Sequence, residues 1–258
     1  MKNITRERML AGEKTLGTFM IIGSGTSAEC IGLAGYDYVI IDTEHGPFNP
    51  DSAIDYIRAA RLYGTTPFVR VQDTSRASIL KMLDGGAMGL IIPQIHTVEE
   101  IRRIVEYGKY PPVGSRGVAP SVGTAFWQED YAQHGLAQTF ETANRETMLF
   151  PQCETVGCLE HIEEIAAIDG VDGIFVGPFD LSVAMGMPLE FERPEFKAAL
   201  QRILDACKAA SKPTMIYAGT IEDAKTDFAM GFDSVTYNQD APLLIEMLKE
   251  AKSAILGA

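Results

Sequence analysis

Short apolar runs alternate with longer amphipathic stretches along almost the whole chain, and this alternation restricts the fold more than any single residue does. Runs such as Asp37–Ile41, Pro67–Val71, Met88–Pro93 and Met148–Cys153 are nearly continuously apolar and only five or six residues long. Such runs read as strands covered on both faces, as in a parallel sheet. Leu16–Ile22, Gly173–Val176, Pro213–Tyr217 and Ser234–Tyr237 complete the strand set. Between them, apolar residues recur at helical spacing over Pro50–Tyr63, Arg76–Leu83, Val98–Tyr107, Val156–Ile168, Pro194–Ala210, Ile221–Met230 and Pro242–Leu256. A further helix ending at Gly35 takes Ser27 as its N-cap. Eight strand–helix pairs in 258 residues predict an α/β chain folded as one closed TIM (β/α)8 barrel, a single domain over residues 1–258.

One segment breaks the pattern. Residues 110–147 begin with a Pro- and Gly-rich run and include the only tryptophan, Trp127. An insertion of this length in a compact domain predicts a lid or an interface element.

Composition removes several classes of function. A formal net charge of −13 disfavours nucleic acid and anionic membrane as partners, since both are held by clustered Lys and Arg. The N-terminal residues lack the apolar core of a signal peptide, and no apolar run reaches the roughly 18 residues of a membrane span. Four irregularly spaced cysteines fit reduced thiols, so the expected location is the cytoplasm.

The chemistry collects where the strands end. Loops following barrel strands share one mouth, which is where catalytic groups gather. Glu154 and Asp180 follow successive strands; two oxygen ligands there suit a hard cation such as Mg2+ or Mn2+, although helix capping would also explain them. Asp42, Glu44 and His45 crowd the end of another strand, which points to acid–base work at His45. Arg70, inside an apolar run, must pair with an acid or face the mouth. Asp84, beside helix-stopping glycines, is either a surface residue or an acid behind His45 that fixes its tautomer. Arg116 is read as a structural or interface residue.

Taken together, Asp42-Thr43-Glu44-His45, Val69-Arg70, Leu83-Asp84-Gly85-Gly86-Ala87, Gly114-Ser115-Arg116-Gly117-Val118, Gln152-Cys153-Glu154-Thr155 and the run from Gly170 to Ser182 resemble the HpcH/HpaI family of class II pyruvate-dependent aldolases over nearly the whole chain. The resemblance implies a barrel whose C-terminal helix is swapped between subunits, in dimers that assemble into hexamers. It implies a divalent metal cation (Mg2+, Mn2+ or Co2+) held by Glu154 and Asp180, with substrate near Gln152, Phe179 and Asp180. His45 falls at the base position, Asp84 at the supporting acid and Arg70 at the charge-stabilising arginine. The implied reaction cleaves a 4-hydroxy-2-oxo acid, through a metal-stabilised enolate, to pyruvate or a related 2-oxo acid and an aldehyde, and also runs in reverse. None of the strand ends named presents a lysine, which favours the metal route over an imine. Phe179 stands where many relatives have a smaller residue and Phe19 where some have Trp, so a reshaped aldehyde side is expected. Two alternatives remain: a citryl- or malyl-thioester lyase, for which no basic cluster to hold coenzyme A is evident, and a non-catalytic 2-oxo acid sensor.

Overall fold

The computed structural model describes residues 1–257. The elements follow in chain order as α1 (Ile4–Leu10), β1 (Thr15–Met20), α2 (Gly25–Leu33), β2 (Tyr38–Asp42), α3 (Pro50–Leu62), β3 (Thr66–Arg70), α4 (Arg76–Asp84), β4 (Gly89–Ile92) and α5 (Val98–Gly108). After a 3-10 turn (Val122–Trp127) come α6 (Asp130–Gln133), α7 (Leu136–Glu146), β5 (Met148–Cys153), α8 (Val156–Glu160), α9 (Ile162–Ala167), β6 (Ile174–Val176), α10 (Pro178–Ala184), α11 (Pro194–Ala209), β7 (Thr214–Ala218), α12 (Ile221–Met230), β8 (Ser234–Gln239) and α13 (Asp240–Leu256). All eight strands pair in parallel with their sequence neighbours, and β8 returns to β1 to close the barrel. The strand and helix expectations hold closely, because the strands are covered on both faces and the helices other than α13 bury one.

Large rings fill the barrel interior. Tyr38 and Phe68 lie 5.2 Å apart by ring centroid, Phe68 and Phe150 5.8 Å, and Phe19 and Phe175 6.0 Å. Strand glycines make the space: a Cβ at Gly89 would come 2.6 Å from the Phe68 ring, and one at Gly17 would overlap Tyr38. Tyr38 is fully buried, its hydroxyl placed between Thr236 Oγ1 (2.8 Å) and Ser234 Oγ (2.9 Å). Aliphatic side chains pack between the sheet and the helices. At the end opposite the catalytic mouth, α1 inserts Met9 among the interior residues. Asn3 anchors that helix through its N–H to Glu146 Oε2 (2.8 Å) and its amide to the Met88 carbonyl (3.2 Å).

Several expectations change. The N-cap of α2 is Ser24, whose side chain accepts from the Thr26 N–H, while Ser27 Oγ donates to Asp240 at the start of α13 (2.8 Å). The helix expected over Val156–Ile168 is divided at His161 into α8 and α9. The insertion is neither featureless nor a lid over the mouth within this chain. It joins the end of α5 to the start of β5, and helices in this fold run antiparallel to strands, so the connection lies at the opposite face. There Asn144 exchanges hydrogen bonds with the Tyr110 backbone (2.7 and 2.9 Å), and Lys109 Nζ reaches Asp172 (2.7 Å) and the Thr147 carbonyl (2.6 Å).

The last helix is unlike the others. Every described residue of α13 from Leu244 onward is exposed, among them Ile245, Met247, Leu248, Ile255 and Leu256.

Two stability predictions follow from this packing. Gly17→Ala, which sets a methyl group against a fully buried ring, is expected to cost about 1–3 kcal/mol in urea unfolding. On α12, burial and then the charge of Asp223 push the Asp227 carboxyl up to about 7. An acid whose pKa rises on folding favours the folded state only while protonated, so its contribution declines as pH climbs from about 4, the unfolded value, through the folded one. Asp227→Asn should therefore raise the melting temperature at pH 8, with the gain vanishing near pH 4.

Candidate active site

The site is built on a strand-end ion pair. Asp42 and Arg70 are register partners on β2 and β3, so their side chains emerge side by side. Arg70 Nε donates to Asp42 Oδ1 (2.9 Å) and Nη2 to Oδ2 (2.6 Å), a two-point pairing in which both groups are buried. The guanidinium also lies 4.7 Å from the Phe19 ring centroid and 3.3 Å from Glu44 Oε2. Both expectations for Arg70 are met, since it pairs with acids and faces the mouth.

Asp42 Oδ1 also accepts the backbone N–H groups of Glu44 (3.1 Å) and His45 (3.3 Å), folding the loop back over the strand end. That turn presents an exposed His45 imidazole to the pocket, 3.9 Å from Glu44 Oε2. Burial, counteracted by Arg70, raises the Glu44 carboxyl above the ordinary range.

Within one chain, Asp84 does not stand behind His45. It ends α4, a nine-residue helix about 13 Å long that begins near the mouth, so it lies at the far face of the barrel. There it pairs with Arg116 Nη2 (2.8 Å), whose guanidinium stacks 4.7 Å from the Tyr110 ring centroid. Arg116 is thus a structural residue of the insertion. Within one chain the acid beside His45 is Glu44.

Opposite Arg70 lie Gln152, Glu154 and Asp180. Glu154 is only 3% exposed, and its Oε1 accepts the Gln94 N–H (2.8 Å) and side-chain amide (3.1 Å). Its other oxygen is bonded by the Gln152 amide. Burial first, moderated by the Gln94 N–H, and then the charges of Glu44 and Asp180 push its carboxyl up to about 7. Capping does not account for Glu154, because Thr155 caps α8. Asp180 sits exposed in the first turn of α10, whose N-cap is Gly177. A Cβ at Gly177 would come 2.7 Å from Gln152 Nε2 and 2.9 Å from Glu154 Oε2, so a glycine lets the strand end close over both.

These groups suit a divalent cation. Gln152 Oε1 is buried without a hydrogen-bond partner, and near it stand the Asp180 carboxylate and the Glu154 carboxyl, which burial and neighbouring charge hold above the ordinary range. An oxygen-only donor set of this kind matches Mg2+ or Mn2+. Among the described residues no group of three or more His, Cys, Asp or Glu forms a complete cage, so substrate or water would supply the remaining positions.

His45, Arg70, Gln152, Phe179 and Asp180 line one cavity of about 200 Å3, closed by Phe19, Phe175 and Tyr217. Glu154 lies against its wall, behind Gln152 and Gly177. Sequence reasoning singles out all of these except Phe175 on β6 and Tyr217, near the end of β7; Gln239, at the end of β8, lines the cavity as well. It also missed Gln94, whose positive φ of 55° turns its N–H toward Glu154; only its place after a strand could have signalled it.

Comparison with known proteins agrees with this geometry. The family model described as HpcH/HpaI aldolase/citrate lyase matches residues 16–239. The chain is 39% identical over 199 residues to a hydroxypyruvate/pyruvate aldolase of Sagittula stellata, covering 77% of this chain and 76% of that one. It is 31% identical over 249 residues to a 2-keto-3-deoxy-L-rhamnonate aldolase of Klebsiella pneumoniae, covering 96% and 91%. A solved HpcH/HpaI aldolase/citrate lyase family protein from Burkholderia cenocepacia superposes with a TM-score of 0.90 at 30% identity, covering 98% of this chain and 99% of that one. With the family model spanning the barrel and relatives above 30% identity along most of their length, the chain belongs to the HpcH/HpaI aldolase/citrate lyase family and is a carbon–carbon lyase of aldolase type.

Proposed function

We propose that this chain is a divalent-metal-dependent aldolase that cleaves a 4-hydroxy-2-oxo acid to pyruvate, or a close 2-oxo acid such as hydroxypyruvate, and an aldehyde, and that it catalyses the reverse addition. The observation that carries this reading is the buried Arg70 sharing a single 200 Å3 cavity with Gln152 and Asp180, with Glu154 against its wall. Glu154, Asp180 and Gln152 would hold the cation, which when bound orients the 2-oxo acid and draws electron density from its keto group.

The remaining work belongs to the chain's own groups. Breaking the C3–C4 bond leaves the electron pair on the pyruvate fragment as an enolate. Arg70, locked by Asp42 and needing no reorganisation, faces the oxygen on which that charge develops. His45, held by its loop at the open side of the pocket, takes the proton of the C4 hydroxyl as the aldehyde carbonyl forms, and a proton delivered to C3 completes pyruvate. Phe19, Phe175 and Tyr217 keep water from the enolate.

The reading extends to assembly. The apolar residues exposed along α13 would be buried by exchange of that helix between subunits, in dimers associating to hexamers. Removing residues 244–258 should convert the oligomer to monomers in light scattering; an unchanged mass would overturn the swap.

Proton NMR of pyruvate in D2O tests the chemistry without any choice of aldehyde. Metal-stripped protein should exchange the methyl protons only after Mg2+, Mn2+ or Co2+ is added, and Glu154→Ala should abolish that exchange. His45→Ala should retain pyruvate binding while cleavage slows by about 10²–10⁴-fold, the range for loss of a general base. Unchanged turnover in that variant would remove His45 from the mechanism.

A further inference from the structure

The cavity that holds the reacting atoms has a neighbour. Pro178, Phe179 and Tyr217 form a shared wall, and behind it a second cavity of about 390 Å3 descends between α11 and α12. Alternation along β7 explains how one strand serves both: Tyr217 turns toward the catalytic pocket, while Ile216 and Ala218 face the outer cavity. Phe196 and Leu200 of α11 and Met230 of α12 continue the apolar surface, while Glu192, Lys197, Asp223 and Asp227 bring charge to the rest of the lining.

The dividing wall is thin. Phe179 is 41% exposed, and its contacts with other rings are edge-on or tilted: Phe191 and Tyr217, each at 5.5 Å between centroids. Gly219 leaves the space beyond it open, since even an added Cβ there would stay 3.8 Å from the ring. The Phe179 ring thus stands as the partition between the two cavities.

Polarity within the catalytic pocket gives the second cavity its occupant. Arg70 and Gln152, with a cation held at Asp180, would draw the charged 2-oxo acid to their side, leaving the side of Tyr217 and Phe179 for the aldehyde's substituent. About 200 Å3 holds a 2-oxo acid with a short aldehyde and little else. The outer cavity lies within the roughly 300–1,000 Å3 range of small-molecule sites.

We propose that the cavity between α11 and α12 receives the tail of the aldehyde, so that the preferred acceptors carry an apolar substituent of several carbons, aliphatic or aryl. This inference rests on the aldolase reading above.

The test is addition of pyruvate, with Mg2+, to propanal, butanal, pentanal and hexanal, in the intact protein and in Ala229→Trp. Ala229 is an exposed residue of α12 that lines the cavity, so the indole fills the space with little strain. Each methylene buried is worth about fourfold in binding, so kcat/KM should climb by up to about that factor per carbon in the intact protein. In the variant, the hexanal-to-propanal ratio should fall at least tenfold. A flat series in the intact protein, or the same slope in the variant, would overturn the assignment. Methyl-proton exchange of pyruvate in D2O, measured on the same samples without aldehyde, separates the two readings. With exchange intact, a flat series defeats only the tail site; without exchange, the aldolase reading fails and this inference with it.

Discussion

The two-point ion pair between Asp42 and Arg70 is the interaction on which the rest of the site depends. Taking both charges out of water costs several kcal/mol per ion, and only good geometry recovers it. Here the geometry comes from the barrel itself, because parallel register sets the two residues side by side at neighbouring strand ends. The same Asp42 oxygen that receives Arg70 Nε also receives two loop N–H groups, so one carboxylate fixes both the arginine and the turn carrying His45. Replacing the pair with apolar residues could preserve the barrel but would leave the catalytic loop without an anchor.

Charge around that pair is deliberately out of balance. Glu44, Glu154 and Asp180 gather near a single guanidinium whose charge Asp42 already offsets. Burial and mutual repulsion then lift the Glu44 and Glu154 carboxyls, which is the expected response of anions short of a counter-ion. A bound cation would relieve the imbalance while adding a positive centre to an otherwise acidic chain. That would reconcile a formal charge of −13 with the anionic 2-oxo acid proposed as ligand, since the field would reverse only locally.

How much of this was legible in the sequence depended on the range of the interaction. Strands and helices were readable because burial on two faces or one leaves a periodic trace, and the strand-end positions of Arg70, Glu154 and Asp180 followed from barrel architecture. Asp84 shows where that reasoning ends. A motif can flag an acid, but only helix direction reveals that it lies at the opposite face from His45, bound to Arg116. The helix within the insertion was harder to read: α7 has a helical pattern in Leu136, Phe140 and Ala143, but its partner residues are remote in sequence. Gln94 acts through a backbone N–H, which leaves no side-chain signature.

The placement of the aromatic residues follows from the same architecture. Interior rings seal the barrel floor beneath the reacting atoms, so specificity cannot be built downward and must be built at the rim or over it. On the β2 and β3 side the rim is committed to the Asp42–Arg70 pair and the loop it anchors, and on the β5 and β6 side to Gln152, Glu154 and Asp180. The end of β7 carries none of these charged groups. Its alternating side chains already contact the pocket on one face and the helix layer on the other, so substitutions at Phe179, Tyr217 or the α11–α12 groove can alter the accepted aldehyde without disturbing the ion pair or the carboxylates. This separation of fixed charge from adaptable apolar surface would let one barrel keep the proposed enolate chemistry while the aldehyde varies.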